Sequence, residues 1–128
     1  MKTVSFTGAV ISGKGSGRKY LALPWVKLQI EEKLGYIPFL GTLNLRLTAA
    51  SIKRKNQLAK AKAMEIRPAE GYCMGLIFHA FVGKLECAVV APEVEGYPAN
   101  LLEIIAPVDL RKRLRVKDGD TVTVTLAL

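Results

Sequence analysis

Between Thr3 and Ile11 apolar and polar side chains alternate, which is the period of a strand with one face buried. The same period returns where Leu43, Leu45 and Leu47 alternate with Thr42, Asn44 and Arg46, and again from Thr121 to Leu128. Two apolar runs, near Tyr72 to Val82 and Lys84 to Ala91, meet tightly at Gly83 and predict a hairpin. Asn100 to Ile105 is a further short apolar stretch, and a short strand is expected around Lys19 to Ala22. Helical spacing is confined to brief segments. Val26, Ile30 and Leu34 recur at that spacing after Pro24, a favourable first helical residue, and Gly35 stands where a glycine closes a helix. Val108 to Leu114, preceded by Pro107, predicts one short helix. Ser51 to Ala63 is polar, basic and rich in helix formers, so it is either a short surface helix or a mobile excursion. Pro92 to Pro98 reads as a loop and Lys117-Asp118-Gly119-Asp120 as a turn. Six or so short strands with only short helices predict a mainly β protein, a closed barrel rather than a doubly wound sheet.

Composition sharpens this picture. The 128 residues are expected to form a single domain, and half of them are apolar, which excludes a disordered chain. No apolar run is long enough to span a membrane and no signal peptide is expected, so the reading is a cytoplasmic protein. Cys73 and Cys87 sit in strand-like runs without metal-ligand spacing. They read as buried free thiols of a reducing compartment, or as a disulfide between neighbouring strands. His79 has no Cys or Ser partner pattern nearby and reads as a structural or half-exposed strand residue. The net charge of +8 is uneven. Arg46, Lys53, Arg54, Lys55, Lys60, Lys62 and Arg67 face only Glu65, and a second cluster holds Arg111, Lys112, Arg113, Arg115 and Lys117. Such fields attract polyanions, whether nucleic acid or a nucleoside triphosphate, and equally serve solubility.

Two segments carry candidate chemistry. On the face of the strand opposite the three leucines, Thr42 and Asn44 are two neutral oxygen donors at i and i+2, spaced to reach one hard cation such as Mg²⁺. Arg46 extends that face toward a phosphate oxygen. An exposed polar face without a ligand has the same pattern. The second segment is Ser12-Gly13-Lys14-Gly15-Ser16-Gly17-Arg18-Lys19-Tyr20. Its glycines let backbone N–H groups approach an anion, with Lys14, Arg18 and Lys19 to neutralise it, although an ordinary turn also suits them. It is neither a P-loop nor a dinucleotide fingerprint.

The chain resembles the archaeal CTP-dependent riboflavin kinases nearly end to end. The resemblance rests on Ser12-Gly13-x-Gly15-x-Gly17-Arg18, Leu23-Pro24, Leu34-Gly35-Tyr36-x-Pro38 and Gly41-Thr42-Leu43-Asn44. It continues through Leu102-Glu103-Ile104-Ile105-Ala106-Pro107-Val108-x-Leu110-Arg111 and the Lys117-Asp118-Gly119-Asp120 turn, while Thr48 to Glu70 adds nothing. It implies a small six-stranded cradle-loop barrel that moves the γ-phosphate of CTP to the 5′-hydroxyl of riboflavin, giving FMN and CDP. By the same resemblance Gly13, Lys14, Gly15, Ser16, Gly17 and Arg18 would wrap the nucleotide phosphates. Thr42 and Asn44 would ligate Mg²⁺, and Val108, Asp109, Leu110 and Arg111 would hold the nucleotide. Glu103 would serve the flavin side and the chemistry there. A monomer without membrane or nucleic-acid partners is expected.

Glu103 lies amid Leu101, Leu102, Ile104 and Ile105, where a carboxylate is costly unless its tip reaches a ligand, a cation or water. A carboxylate capping the Pro107 helix or pairing with an arginine is the bland alternative. The resemblance departs at Glu95, where the family tends to carry a threonine that touches the flavin. Either the loop is re-registered, with Tyr97 supplying the hydroxyl, or the acceptor pocket differs. Ser16 likewise stands where an acidic residue is frequent. The rival class is a nucleic-acid-binding cradle-loop barrel, in which Lys53 to Lys62 would contact phosphates and the glycine segment would be a plain turn.

Overall fold

The computed structural model describes residues 2–13, 15–69, 71, 74–93 and 95–128. Seven strands are ordered β3-β4-β5-β6-β2-β1-β7, all antiparallel: β1 (Thr3–Ile11), β2 (Leu43–Leu47), β3 (Ala63–Ile66), β4 (Gly75–Val82), β5 (Leu85–Pro92), β6 (Leu101–Ile105) and β7 (Thr121–Ala127). Pairing of Ala80 with Leu126 and Phe81 with Thr125 joins β4 to β7 and closes six of the strands into a barrel. The extra strand, β3, pairs with the other half of β4, from Gly75 to Phe78.

Alternation sorts the side chains to two cores. Phe6, Leu45, Phe78, Val89, Ile104 and Val124 point into the barrel with the other buried members of their strands. Ile77, Ala88, Val90 and Ile105 point the other way and meet Leu21, Val26, Ile30 and Ile66 in a second core outside the barrel wall. The covering layer is α1 (Ser16–Leu21), α2 (Pro24–Leu34) and β3. β5 is thus buried on both faces, which is why Cys87, Ala88, Val89 and Val90 form an unbroken apolar run. The three leucines of β2 all face the core, as their spacing predicts. α2 starts at Pro24 and ends at Gly35, whose φ of 78° forms the left-handed cap.

Three expectations need correction. Residues 19–22 are not a strand: both edges of β1 are taken by β2 and β7, and the chain instead forms α1, which buries Leu21. The last short helix, α4 (Leu110–Leu114), begins two residues later than Val108 because the Asp109 carboxylate accepts from the Arg111 N–H and caps it. The stretch after Thr48 resolves into α3 (Ala49–Arg54), a 3₁₀ helix at Lys55–Lys60 and then β3, which the sequence reading passed over. β3 has only four residues, and only Ile66 among them is fully buried, too little alternation to register. Cys87 is a buried free thiol, and burial pushes its pKa up to about 12. Cys73, its proposed partner, lies outside the described residues. His79 is half exposed and pairs with Glu86 across the hairpin, 2.8 Å apart.

Candidate active site

One row of paired residues crosses the outer face of the barrel. Val90 on β5 faces Glu103 on β6, Glu103 faces Asn44 on β2, and Asn44 faces Ile11 at the end of β1. Such neighbours have side chains about 5 Å apart. The row therefore runs from an apolar end under the helices to a polar end at the glycine segment.

The polar end is built around Asn44, which is only 8% exposed. Thr42 Oγ1 donates to Asn44 Oδ1 at 2.7 Å, so the two oxygens converge on one spot. Gly13 and Gly17 pack directly on this pair. A Cβ at Gly13 would collide with Asn44 Nδ2, and one at Gly17 would stand 2.6 Å from Thr42 Cγ2. Both glycines are therefore dictated by closeness to the strand, not by turning alone. Arg111 anchors the start of the segment. Its Nη2 donates to Ile11 O at 3.1 Å and to Asp118 Oδ1 at 2.6 Å, and Ser12 Oγ donates to Asp118 Oδ2 at 2.7 Å. The Ser12 hydroxyl and the Arg111 guanidinium hold the Asp118 carboxyl below its usual range.

Two cavities meet over the row. The larger, about 770 Å³, is lined by Gly13, Gly15, Gly17, Arg18 and Asn44 on one side and by Val108, Asp109, Leu110 and Arg111 on the other. The smaller, about 420 Å³, is walled by Tyr20, Leu21, Leu23, Val90, Pro92, Tyr97 and Ile105. Gly17, Thr42 and Glu103 line both and mark the junction. Burial raises the Glu103 pKa above the ordinary carboxylate value, opposed by the adjacent Tyr97 hydroxyl. That hydroxyl is buried beside Glu103 but outside the geometry of a formed hydrogen bond, and burial raises its own pKa. The bland alternatives for Glu103 are not seen: Asp109 caps α4, and among the described residues Glu103 makes no ion pair.

Most residues singled out from the sequence thus converge. Arg46 does not: it is exposed and lines neither cavity. Glu95 is exposed in a turn outside both cavities, whereas Tyr97, two residues on, lies inside the smaller one. Lys14 lies outside the described residues, and Ser16 opens α1. Sequence reasoning missed Tyr20, Leu21, Leu23, Val90 and Ile105, because apolar residues around a cavity carry the same pattern as apolar residues in a core. It also missed Phe39 and Leu40, exposed apolar residues on the rim of the larger cavity.

The Thr42–Asn44 pair fits a small divalent cation. Two oxygens 2.7 Å apart are close to the roughly 2.9 Å edge of an octahedron with Mg–O bonds of about 2.1 Å. Gly13 and Gly17 pack on the pair, and Thr42 and Asn44 both line the larger cavity, from which ligand oxygens can reach them. Both donors are neutral, so the balancing negative charge has to come with the ligand.

The structure thus sets a closed barrel with a glycine segment laid over two neutral oxygen donors beside a second, more apolar cavity. The family model CTP-dep_RFKase, described as domain of unknown function DUF120, matches residues 10–126, and the chain belongs to that family of CTP-dependent riboflavin kinases. It is 41% identical over 123 residues to a riboflavin kinase of Methanosarcina barkeri, covering 93% of this chain and 55% of that protein. It is 40% identical over 127 residues to a riboflavin kinase of Ignicoccus hospitalis, covering 96% of this chain and 71% of that protein. A riboflavin kinase of Archaeoglobus fulgidus is 38% identical over 130 residues, 98% of this chain and 56% of that protein. The chain spans about half to seven-tenths of the length of these relatives. Among the described residues, no helix is long and apolar enough to cross a membrane.

Proposed function

We propose that this chain, as a single domain, transfers the γ-phosphate of CTP to the 5′-hydroxyl of riboflavin, giving FMN and CDP with Mg²⁺ as cofactor. One observation carries the reading: a cavity that holds the glycine segment, Asn44 and Arg111 in its wall and a second, more apolar cavity meet at Gly17, Thr42 and Glu103, an arrangement suited to in-line transfer between a nucleotide and a flat acceptor. The acceptor comes from the relatives' name and the donor from the family's.

The nucleotide lies in the larger cavity, its phosphates against the backbone of the glycine segment and Arg18. Arg111 and Asp109 shape the opposite wall. Thr42 and Asn44 would hold Mg²⁺, which when bound supplies positive charge against the charge that develops on the transferred group. The apolar walls of the smaller cavity bind the flavin ring and exclude water. Glu103, at the junction, accepts a hydrogen bond from the 5′-hydroxyl and orients it. The hydroxyl oxygen bonds to the γ-phosphorus as the bond to the CDP oxygen breaks, and the hydroxyl proton passes to Glu103. Burial raises its pKa, which makes it a stronger proton acceptor than an ordinary carboxylate.

The test is FMN formation, followed by chromatography, with Mg²⁺, riboflavin and each of CTP, ATP, GTP and UTP in turn. FMN with CTP and little with ATP is expected. No FMN with any nucleotide overturns the reading.

A further inference from the structure

Lys55 stands apart from the other basic residues of its run. Lys53, Lys60 and Lys62 are exposed, whereas Lys55, the first residue of the 3₁₀ helix, is half-buried. Its Nζ donates to Ala99 O and to Leu101 O, each at 3.1 Å, and lies 5.9 Å from the centre of the Tyr97 ring. An ammonium has three N–H donors. Here two go to carbonyls on either side of Asn100, and the charge sits over an aromatic face. Asn100 O meanwhile accepts from Leu47 N at 2.7 Å, so the segment is held by β2 on one side and by Lys55 on the other. Tyr97 lies in that segment, outside any strand, with its ring in the wall of the smaller cavity and its hydroxyl beside Glu103.

We infer that Lys55 is a positioning residue for the acceptor: it pins residues 97–101 so that Tyr97 closes the smaller cavity and Glu103 keeps its place at the junction. The inference rests on the proposed riboflavin site. Lys55 lines neither cavity, so its influence on ligands passes through Tyr97 and the start of β6. Without it the carbonyls of Ala99 and Leu101 turn to water and the segment swings out. The same segment gives Pro98 and Leu101 to the wall of the larger cavity, but the glycine segment there is anchored separately by Arg111 and Asp118, so the nucleotide side feels the change less.

The experiment compares the full chain with Lys55→Met, which keeps the stem and removes charge and donors, and with Lys55→Arg, which restores both. Turnover is measured at varied riboflavin and at varied CTP, and amide hydrogen exchange is measured at Leu101, whose N–H donates to Pro98 O. For Lys55→Met the expected result is a riboflavin KM raised about tenfold, the size of one charge-assisted hydrogen bond, with the CTP KM raised clearly less. Leu101 should exchange faster while β1 exchanges as in the wild type, and Lys55→Arg should recover most of the riboflavin KM. Unchanged exchange at Leu101 overturns the clamp. Faster exchange with both KM values unchanged overturns the positioning role. Equal rises in both KM values, uncorrected by Arg, reveal a general structural role and overturn it too. Wild-type protein that makes no FMN overturns the acceptor reading itself, before any variant is compared, and the exchange data then report the clamp alone.

Discussion

The two cavities that share Gly17, Thr42 and Glu103 are built differently. The larger has a polar side built on close approach, glycines pressed against a threonine and an asparagine, with Arg111, Asp118 and Ser12 tying the segment down. Little in it can change without a collision. The smaller is an apolar recess between the helical cover and the barrel wall, formed by side chains that elsewhere belong to the second core. It is closed by a segment held from outside by Lys55. On the proposed reading the difference follows from the ligands: a triphosphate presents charge and needs fixed donors at set distances, whereas a flavin ring presents area and needs an apolar slot. Substitutions on the two sides should therefore fail in different ways.

The largest effect is expected at the junction. Asn44→Ala or Thr42→Ala should lower kcat about 10³-fold with the far-UV circular dichroism unchanged, comparable to losing a preorganised electrostatic group. Retained turnover would remove the metal assignment. Glu103→Gln should lower kcat about 10²-fold, the range of general acid–base catalysis. The same change should raise Tm at neutral pH. Folding raises the Glu103 pKa above its ordinary value of 4.5, so the folded state binds the proton more tightly and ionisation costs stability. That cost is absent below the ordinary value and grows as pH rises through the raised one. The Tm advantage of Glu103→Gln should therefore vanish in acid, and a variant less stable than wild type at neutral pH would contradict the buried placement.

Smaller effects sharpen the contrast. Gly17→Ala places a methyl against Thr42 and should cost about 30-fold in kcat/KM for CTP, since displacements near 1 Å at a reacting site are that damaging. Gly17 lines both cavities, so the riboflavin KM should rise as well, and an unchanged kcat/KM for both ligands would contradict the close packing on Thr42. Arg111→Ala releases Ile11 and Asp118 and should raise the CTP KM about tenfold while leaving the riboflavin KM within about twofold. The reverse pattern would refute its placement.

The same contrast explains what was legible in the sequence. β1, α2, the hairpin at Gly83 and β7 announce themselves by alternation or helical spacing long enough to exceed noise. β3 does not, and α1 misleads because Tyr20, Leu21 and Leu23 are apolar at strand-like as well as helical spacing. On the polar side of the site Thr42, Asn44 and the glycines are conspicuous, since small polar and Cβ-less residues cluster where no core requires them. Glu103 is conspicuous as a carboxylate inside an apolar run. On the apolar side nothing distinguishes Val90 or Ile105 from core residues until the recess between α1 and β6 is seen. Glu95 illustrates the limit of reading by position: it is exposed, and Tyr97 fills the wall instead. Lys55 was one charge among many until its carbonyl partners placed it.

On the proposed reading, two ligands occupy adjoining cavities and touch only at the junction. Backbone amide chemical-shift mapping tests it directly, adding riboflavin alone, then CDP with Mg²⁺ alone, then both. Riboflavin is predicted to shift Tyr20, Leu23, Val90, Tyr97 and Ile105, and CDP to shift Gly13, Gly15, Arg18, Asn44 and Arg111. Thr42 and Glu103 should respond to both. Overlapping sets for the two ligands, or a riboflavin response away from the smaller cavity, would contradict the account.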